Sequence, residues 1–143
     1  DPSQYSDEEL DRIKNCLVHG GFDILPKASD AFVKQTLVLP VAERESRVRV
    51  DILFSYSDYE RQAMKRVNII SVGKASVRFA SLEDVIVHKV FAGRPRDLED
   101  AKSVILKNPG YDSAYVKKWL KELSSPSEGD FLSRFKNLLK ELQ

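Results

Sequence analysis

The sequence has little of several residue types, and each shortage excludes something. Cysteine occurs once, at Cys16; a lone thiol rules out an internal disulfide framework and fits a reducing, cytoplasmic setting. Histidine occurs twice, as His19 and His88, so Cys16 and His19 have no second Cys/His pair with which to complete a zinc site. No apolar run approaches the roughly 18 residues needed to cross a bilayer, and no signal peptide opens the chain, so no membrane association is expected. An excess of one charge is also missing. Lys and Arg number 23 against 22 Asp and Glu, which argues against a dedicated nucleic-acid coat. Phosphate-loop and dinucleotide glycine fingerprints are absent, as is any Ser/His/Asp arrangement. The chain begins at Asp1, and its only methionine is Met64; it reads as a processed chain or a fragment.

What is present suits one globular domain spanning 1–143, with 42% apolar and 31% charged residues. Ser6-Asp7-Glu8-Glu9 is a capping box, and Leu10, Ile13 and Leu17 follow at helical spacing before Gly20-Gly21; this predicts a helix over 7–19. Residues 22–35 are weakly patterned and suit a short strand, then a short helix after Ser29. Thr36 to Val41 reads as a strand. From Ser46 to Ser55 the alternation is strict, with Val48, Val50, Ile52 and Phe54 on one face and Arg47, Arg49 and Asp51 on the other. Glu43-Arg44-Glu45 then forms a hairpin loop. A short helix over Tyr59–Arg66 precedes a second hairpin, Val67–Val72 and Ser76–Ala80, turning at Gly73-Lys74. After Ser81 the pattern is helical. Helices are expected at 82–92, 96–107, after Asp112, and from Phe131 onward, separated by Gly93/Pro95, Asn108-Pro109-Gly110 and Ser124–Gly129. The expected class is α+β, with a sheet-containing part over 1–80 and a helical C-terminal layer over 81–143.

Candidate functional residues are charges that fall where the pattern calls for apolar side chains. Lys89 falls at the centre of the stripe Leu82, Val85, Ile86, Val90, where an ammonium must snorkel, deprotonate or find a partner. Asp97 opens the next helix at the edge of its apolar stripe, with Asp100 one turn on. In that position it either complements the helix dipole or meets Lys89 across the break that also holds Arg94 and Arg96. Two arginines, a lysine and a helix N-terminus suit phosphate. Asp51 is mid-strand, where aspartate is disfavoured; it is either a salt-bridge partner of Arg49 or Arg47, or a carboxylate offered to a metal ion. Asp84 and His88, one turn apart, read as a surface pair. Arg61, Lys65, Arg66, Lys74 and Arg78 occur with no acid among them, a solvated face or an RNA-binding surface.

Three runs carry a resemblance: Val50-Asp51-Ile52-Leu53-Phe54-Ser55, Ser81-Leu82-Glu83-Asp84-Val85-Ile86-Val87-His88-Lys89, and Ala92-Gly93-Arg94-Pro95-Arg96-Asp97-Leu98-Glu99-Asp100. Together they resemble the minimal nucleotidyltransferases, and within that superfamily the AbiEii-type toxins and their relatives, over roughly Gly21 to Leu123. The resemblance implies a polymerase-β-like palm whose three carboxylates hold Mg²⁺. It implies that Asp51 is the strand-borne catalytic and metal-binding carboxylate, and that Lys89, Arg94 or Arg96, and Asp97 surround the nucleotide. A nucleoside monophosphate would pass from a nucleoside triphosphate to an acceptor (RNA, protein or small molecule), in a setting akin to toxin–antitoxin pairs. The family's Gly-Ser or Gly-Gly turn with a strand-borne Asp-x-Asp pair is not recognisable here and is expected upstream of the first helix. The same fold without transfer would be a nucleotide- or partner-binding module.

Overall fold

The structure, a computed structural model, describes residues 6–55, 57–127 and 129–142. The architecture is mixed α+β, and the chain divides into two compact units, Asp1–Arg61 and Gln62–Gln143. The boundary between the units falls before the second hairpin, and strands give way to helices near residue 80, as expected.

In the first unit, helix α1 (Asp7–His19) starts at the predicted capping box. Glu9 N–H donates to Ser6 Oγ while Ser6 N–H donates to Glu9 Oε2, satisfying two amides that the first turn would otherwise leave open. Strand β1 (Phe22–Ile24) and helix α2 (Asp30–Thr36) follow, then strands β2 (Val38–Glu43) and β3 (Arg49–Leu53). The sheet runs β1-β2-β3, antiparallel throughout, with Pro40 opposite Asp51 and Ala42 between Asp23 and Arg49. One face carries Leu39, Val41 and Phe54 into a core with Leu10 and Val33. Val50 and Ile52 pack on that core as the alternation predicts, but Val48 is exposed, because the strand begins one residue after it. The other face is covered by charge. Asp23 accepts from Arg44 and Arg47, and Arg49 reaches Asp51 along its own strand.

Helix α3 (Asp58–Lys65) leads to the hairpin of β4 (Asn68–Val72) and β5 (Ala75–Phe79), which turns at Gly73 with φ +60. Four helices then build the second core: α4 (Leu82–Ala92), α5 (Pro95–Lys107), α6 (Ser113–Leu123) and α7 (Phe131–Lys140). Its fully buried side chains include Ile86, Val87, Val90, Val116, Leu120 and Phe135. Helix α4 packs against each of the other three helices. That explains why Val87, outside the predicted stripe, is as buried as Ile86, while Leu82 and Val85 are only half-buried.

Candidate functional site at the α4–α5 junction

The break between α4 and α5 is made by two residues with opposite constraints. Gly93 ends α4 in the left-handed region, φ +64, which costs a residue with a Cβ about 1–2 kcal/mol. Pro95 sits at the first turn of α5, where its missing N–H costs nothing. Arg134 of α7 fixes this corner. Its Nη1 donates to the carbonyls of Val90 and Phe91 at 2.8 and 3.1 Å, satisfying the open end of α4. A Cβ on Gly93 would lie 2.3 Å from that same nitrogen.

The hairpin of helices brings Lys89, Arg94 and Asp97 together. Lys89 Nζ donates to Asp97 Oδ1 at 2.9 Å and to Asp100 Oδ2 at 2.8 Å, and Arg94 Nε donates to Asp97 Oδ2 at 2.5 Å. Asp97 is buried, with its side chain 6% exposed, so both of its oxygens face a cation and its ionised form is compensated. The Arg94 guanidinium, and then the Lys89 ammonium, hold its carboxyl below the usual carboxylate range. Reciprocally, Asp100 first and Asp97 second raise the Lys89 pKa above that of a free lysine. Lys89 is therefore a charged, partly exposed group at the edge of the buried stripe, with its side chain 32% exposed.

The site has spare donors. Arg94 spends only Nε on Asp97, its side chain is 78% exposed, and its outer nitrogens have no partner among the described residues. Arg96 is exposed and likewise has no carboxylate partner among them. The N-cap of α5 is Arg94 itself, so no side-chain acceptor closes that helix end. First-turn amides and the positive end of the dipole thus lie at a helix end that Arg94 and Arg96 open. The charge of the unit agrees: Gln62–Gln143 carries 15 Lys and Arg against 10 Asp and Glu, whereas Asp1–Arg61 carries 8 against 12.

Asp51 is held by Arg49. It lies on β3, an outer strand of the three-stranded sheet, and Arg49 donates to it from Nε at 3.0 Å and from Nη2 at 2.9 and 3.2 Å. This is the salt-bridge alternative. Residues two apart on a strand project from the same face, so a guanidinium at 49 reaches a carboxylate at 51 without distortion. Among the described residues, no group of three or more His, Cys, Asp or Glu side chains is placed to hold a metal ion. Among the described residues Asp51 stands outside any such group, and the metal role implied for it rests on the resemblance alone.

One polar cluster escaped the sequence reading. Asp84, expected on the surface beside His88, is fully buried, whereas His88 is exposed. Ser81 Oγ donates to Asp84 Oδ2 at 2.5 Å, and Tyr115 Oη donates to Oδ1 at 2.9 Å. Arg66 lies 3.8 Å from the Tyr115 ring centroid and donates to Glu83 at 3.1 Å, while Glu83 also accepts the amide of Asp112. Burial, and then the bond to Asp84, push the Tyr115 phenol up to about 12. The Ser81/Asp84 spacing was readable as a cap; the partner 31 residues away was not. Arg66, and Arg61 with its bond to Asp58, also leave the basic run less open than its composition implies.

No helix of the described residues is long and apolar enough to cross a membrane. A comparison of the chain with protein-family models finds no match, and a search of the curated proteins also finds none.

Proposed function

We propose that the α4–α5 junction binds the phosphates of a nucleoside triphosphate, and that the chain is a nucleotidyltransferase-type domain moving a nucleoside monophosphate to an acceptor. The observation that carries the phosphate-binding part is the uncapped N-terminus of α5 flanked by Arg94 and Arg96, whose free guanidinium nitrogens match phosphate oxygens. Asp97, locked between Lys89 and Arg94, holds the Arg94 side chain over that helix end. The transfer chemistry rests on the resemblance of the Lys89-to-Asp100 block to the nucleotidyltransferases. The same resemblance implies Mg²⁺ as the ion that would accompany the triphosphate.

The reading is tested with labelled nucleoside triphosphate and Mg²⁺ on wild type, on Lys89→Met, and on a double variant, Arg94→Gln with Arg96→Gln. Saturable binding that the double variant loses while keeping its fold supports the site. Wild-type affinity in that variant overturns it, and wild-type affinity in Lys89→Met confines Lys89 to a structural role. A second reading, binding without transfer, is favoured by one observation, the Arg49–Asp51 pair. Equal label transfer by wild type and Asp51→Asn would remove Asp51 from the chemistry, whereas saturable binding with no label transfer by wild type would favour that module.

A further inference from the structure

A groove of about 400 Å³ runs between α5 and α7, lined by Pro95, Leu98, Glu99, Lys102, Asn137 and Glu141 among others. Its size falls at the small-molecule end of the range for ligand pockets. It starts at Gly93 and Pro95, the corner that presents the phosphate-binding helix end, and runs along α5 to Lys102. Seven residues of helix at 1.5 Å each make that run about 10 Å.

Its floor and rim differ in chemistry. Pro95 and Leu98 on one wall and Leu138 on the other supply apolar surface for a flat ring. Lys102 is bound to both Glu99 and Glu141 at 2.7 Å, which holds the two carboxylates at the rim while leaving each with unused lone pairs. The Asn137 side-chain amide, with two donors and an acceptor, has no hydrogen-bond partner among the described residues. An anionic group in the groove would meet Glu99 and Glu141. A neutral heteroaromatic ring would meet acceptors for amino groups and an amide able to pair in either sense.

We infer that this groove is the base subsite of the nucleotide whose phosphates sit at the α5 N-terminus, and that it favours bases with an exocyclic amino group over uracil. The inference rests on the phosphate reading for its anchor, and the groove's own chemistry carries the rest. The phosphates lie where positive charge is exposed, and the base lies along an apolar wall rimmed by the Glu99–Lys102–Glu141 set, with Arg134 at the corner spent on the carbonyls of Val90 and Phe91.

Calorimetric titration of the full chain with inorganic tripolyphosphate, ATP, GTP, CTP and UTP separates the two readings. The expected result is that amino-bearing triphosphates bind at least about tenfold tighter than tripolyphosphate, with UTP between. Asn137→Ala should bring the amino-bearing triphosphates about three- to tenfold closer to tripolyphosphate without altering tripolyphosphate itself. If all five ligands bind alike, or if Asn137→Ala changes none of them, the base subsite is overturned and the phosphate site stands. If tripolyphosphate fails to bind, the phosphate reading falls, and the groove is then tested alone by saturation-transfer NMR with adenosine and uridine. Absence of signal from both, or equal signals from both, overturns it.

Discussion

Replacing Tyr115 by Phe removes one oxygen and leaves the ring. The lost atom donates to a carboxylate with no solvent exposure, at 2.9 Å, while the face under Arg66 and the edge toward Trp119 (centroids 6.2 Å apart) remain filled. A hydrogen bond to a charged, buried acceptor is worth about 1.5–3 kcal/mol, and no cavity penalty is added because the ring volume is kept. The expected loss is therefore about 1.5–3 kcal/mol at neutral pH. Trp119 is the chain's only tryptophan, so urea unfolding followed by its fluorescence reports the unit that holds the substitution. The denaturant slope should not change, since the surface exposed on unfolding is the same. A pH series adds a second signature. The folded phenol is raised from 10.0 to about 12 by burial and Asp84, so its contribution is complete below pH 10 and is lost as pH rises from 10 to 12, at up to about 1.4 kcal/mol per unit. Lys89 and Lys102 also lose stabilising charge at high pH, but they do so in both proteins. The gap between wild type and Tyr115→Phe should therefore narrow above pH 10. A loss under about 0.5 kcal/mol, or a gap independent of pH, would refute the claim that this bond anchors Asp84.

Other outcomes follow from single positions. Gly93→Ala should destabilise by at least about 1–2 kcal/mol for its positive φ alone, read by the same unfolding assay; a neutral result would contradict the assigned helix end. Ser81→Ala removes both the cap on α4 and a 2.5 Å bond to Asp84, and should cost about 1–2 kcal/mol. Glu43, the last residue of β2, accepts from the Ser46 hydroxyl and from the amides of Ser46 and Glu45 in the turn that follows, which lower its pKa to about 2. Carboxyl NMR should show it titrating near 2, and Ser46→Ala should move the midpoint upward. Its contribution to stability is present above pH 4.5 and fades as pH falls toward 2. A midpoint near 4.5 in wild type would show the turn to be open in solution.

Local chemistry made much of the fold legible. The Ser6 and Ser81 caps, the Gly73 turn and the Pro95 helix start each depend on residues within four positions of one another, and the structure places them within a residue or so of expectation. The meeting of Lys89 with Asp97 was legible for a similar reason: a two-residue break turns the chain back on itself, so partners eight apart become neighbours. What stayed hidden depends on distant sequence. Asp84 looks like a surface residue until Tyr115 supplies a buried donor. All four central residues of β2 are buried because α1 and α2 lie on one face and charged side chains fold over the other. Periodicity treats such a strand as one-sided. Asp51 was ambiguous in sequence, with the ion pair and the metal ligand equally open, and the structure adds the contact with Arg49.

Arg134 and Gly93 make two distant positions into one unit of change. The guanidinium occupies the space that a side chain at 93 would need, so the order of substitution matters. Removing Arg134 first uncaps two carbonyls of α4 but clears the corner, after which alanine at 93 meets only its backbone penalty. Placing alanine at 93 first imposes that penalty and displaces the arginine as well. The double-mutant cycle should therefore show a loss smaller than the sum of the single losses. An accessible evolutionary route away from glycine at this corner runs through α7, 41 positions downstream.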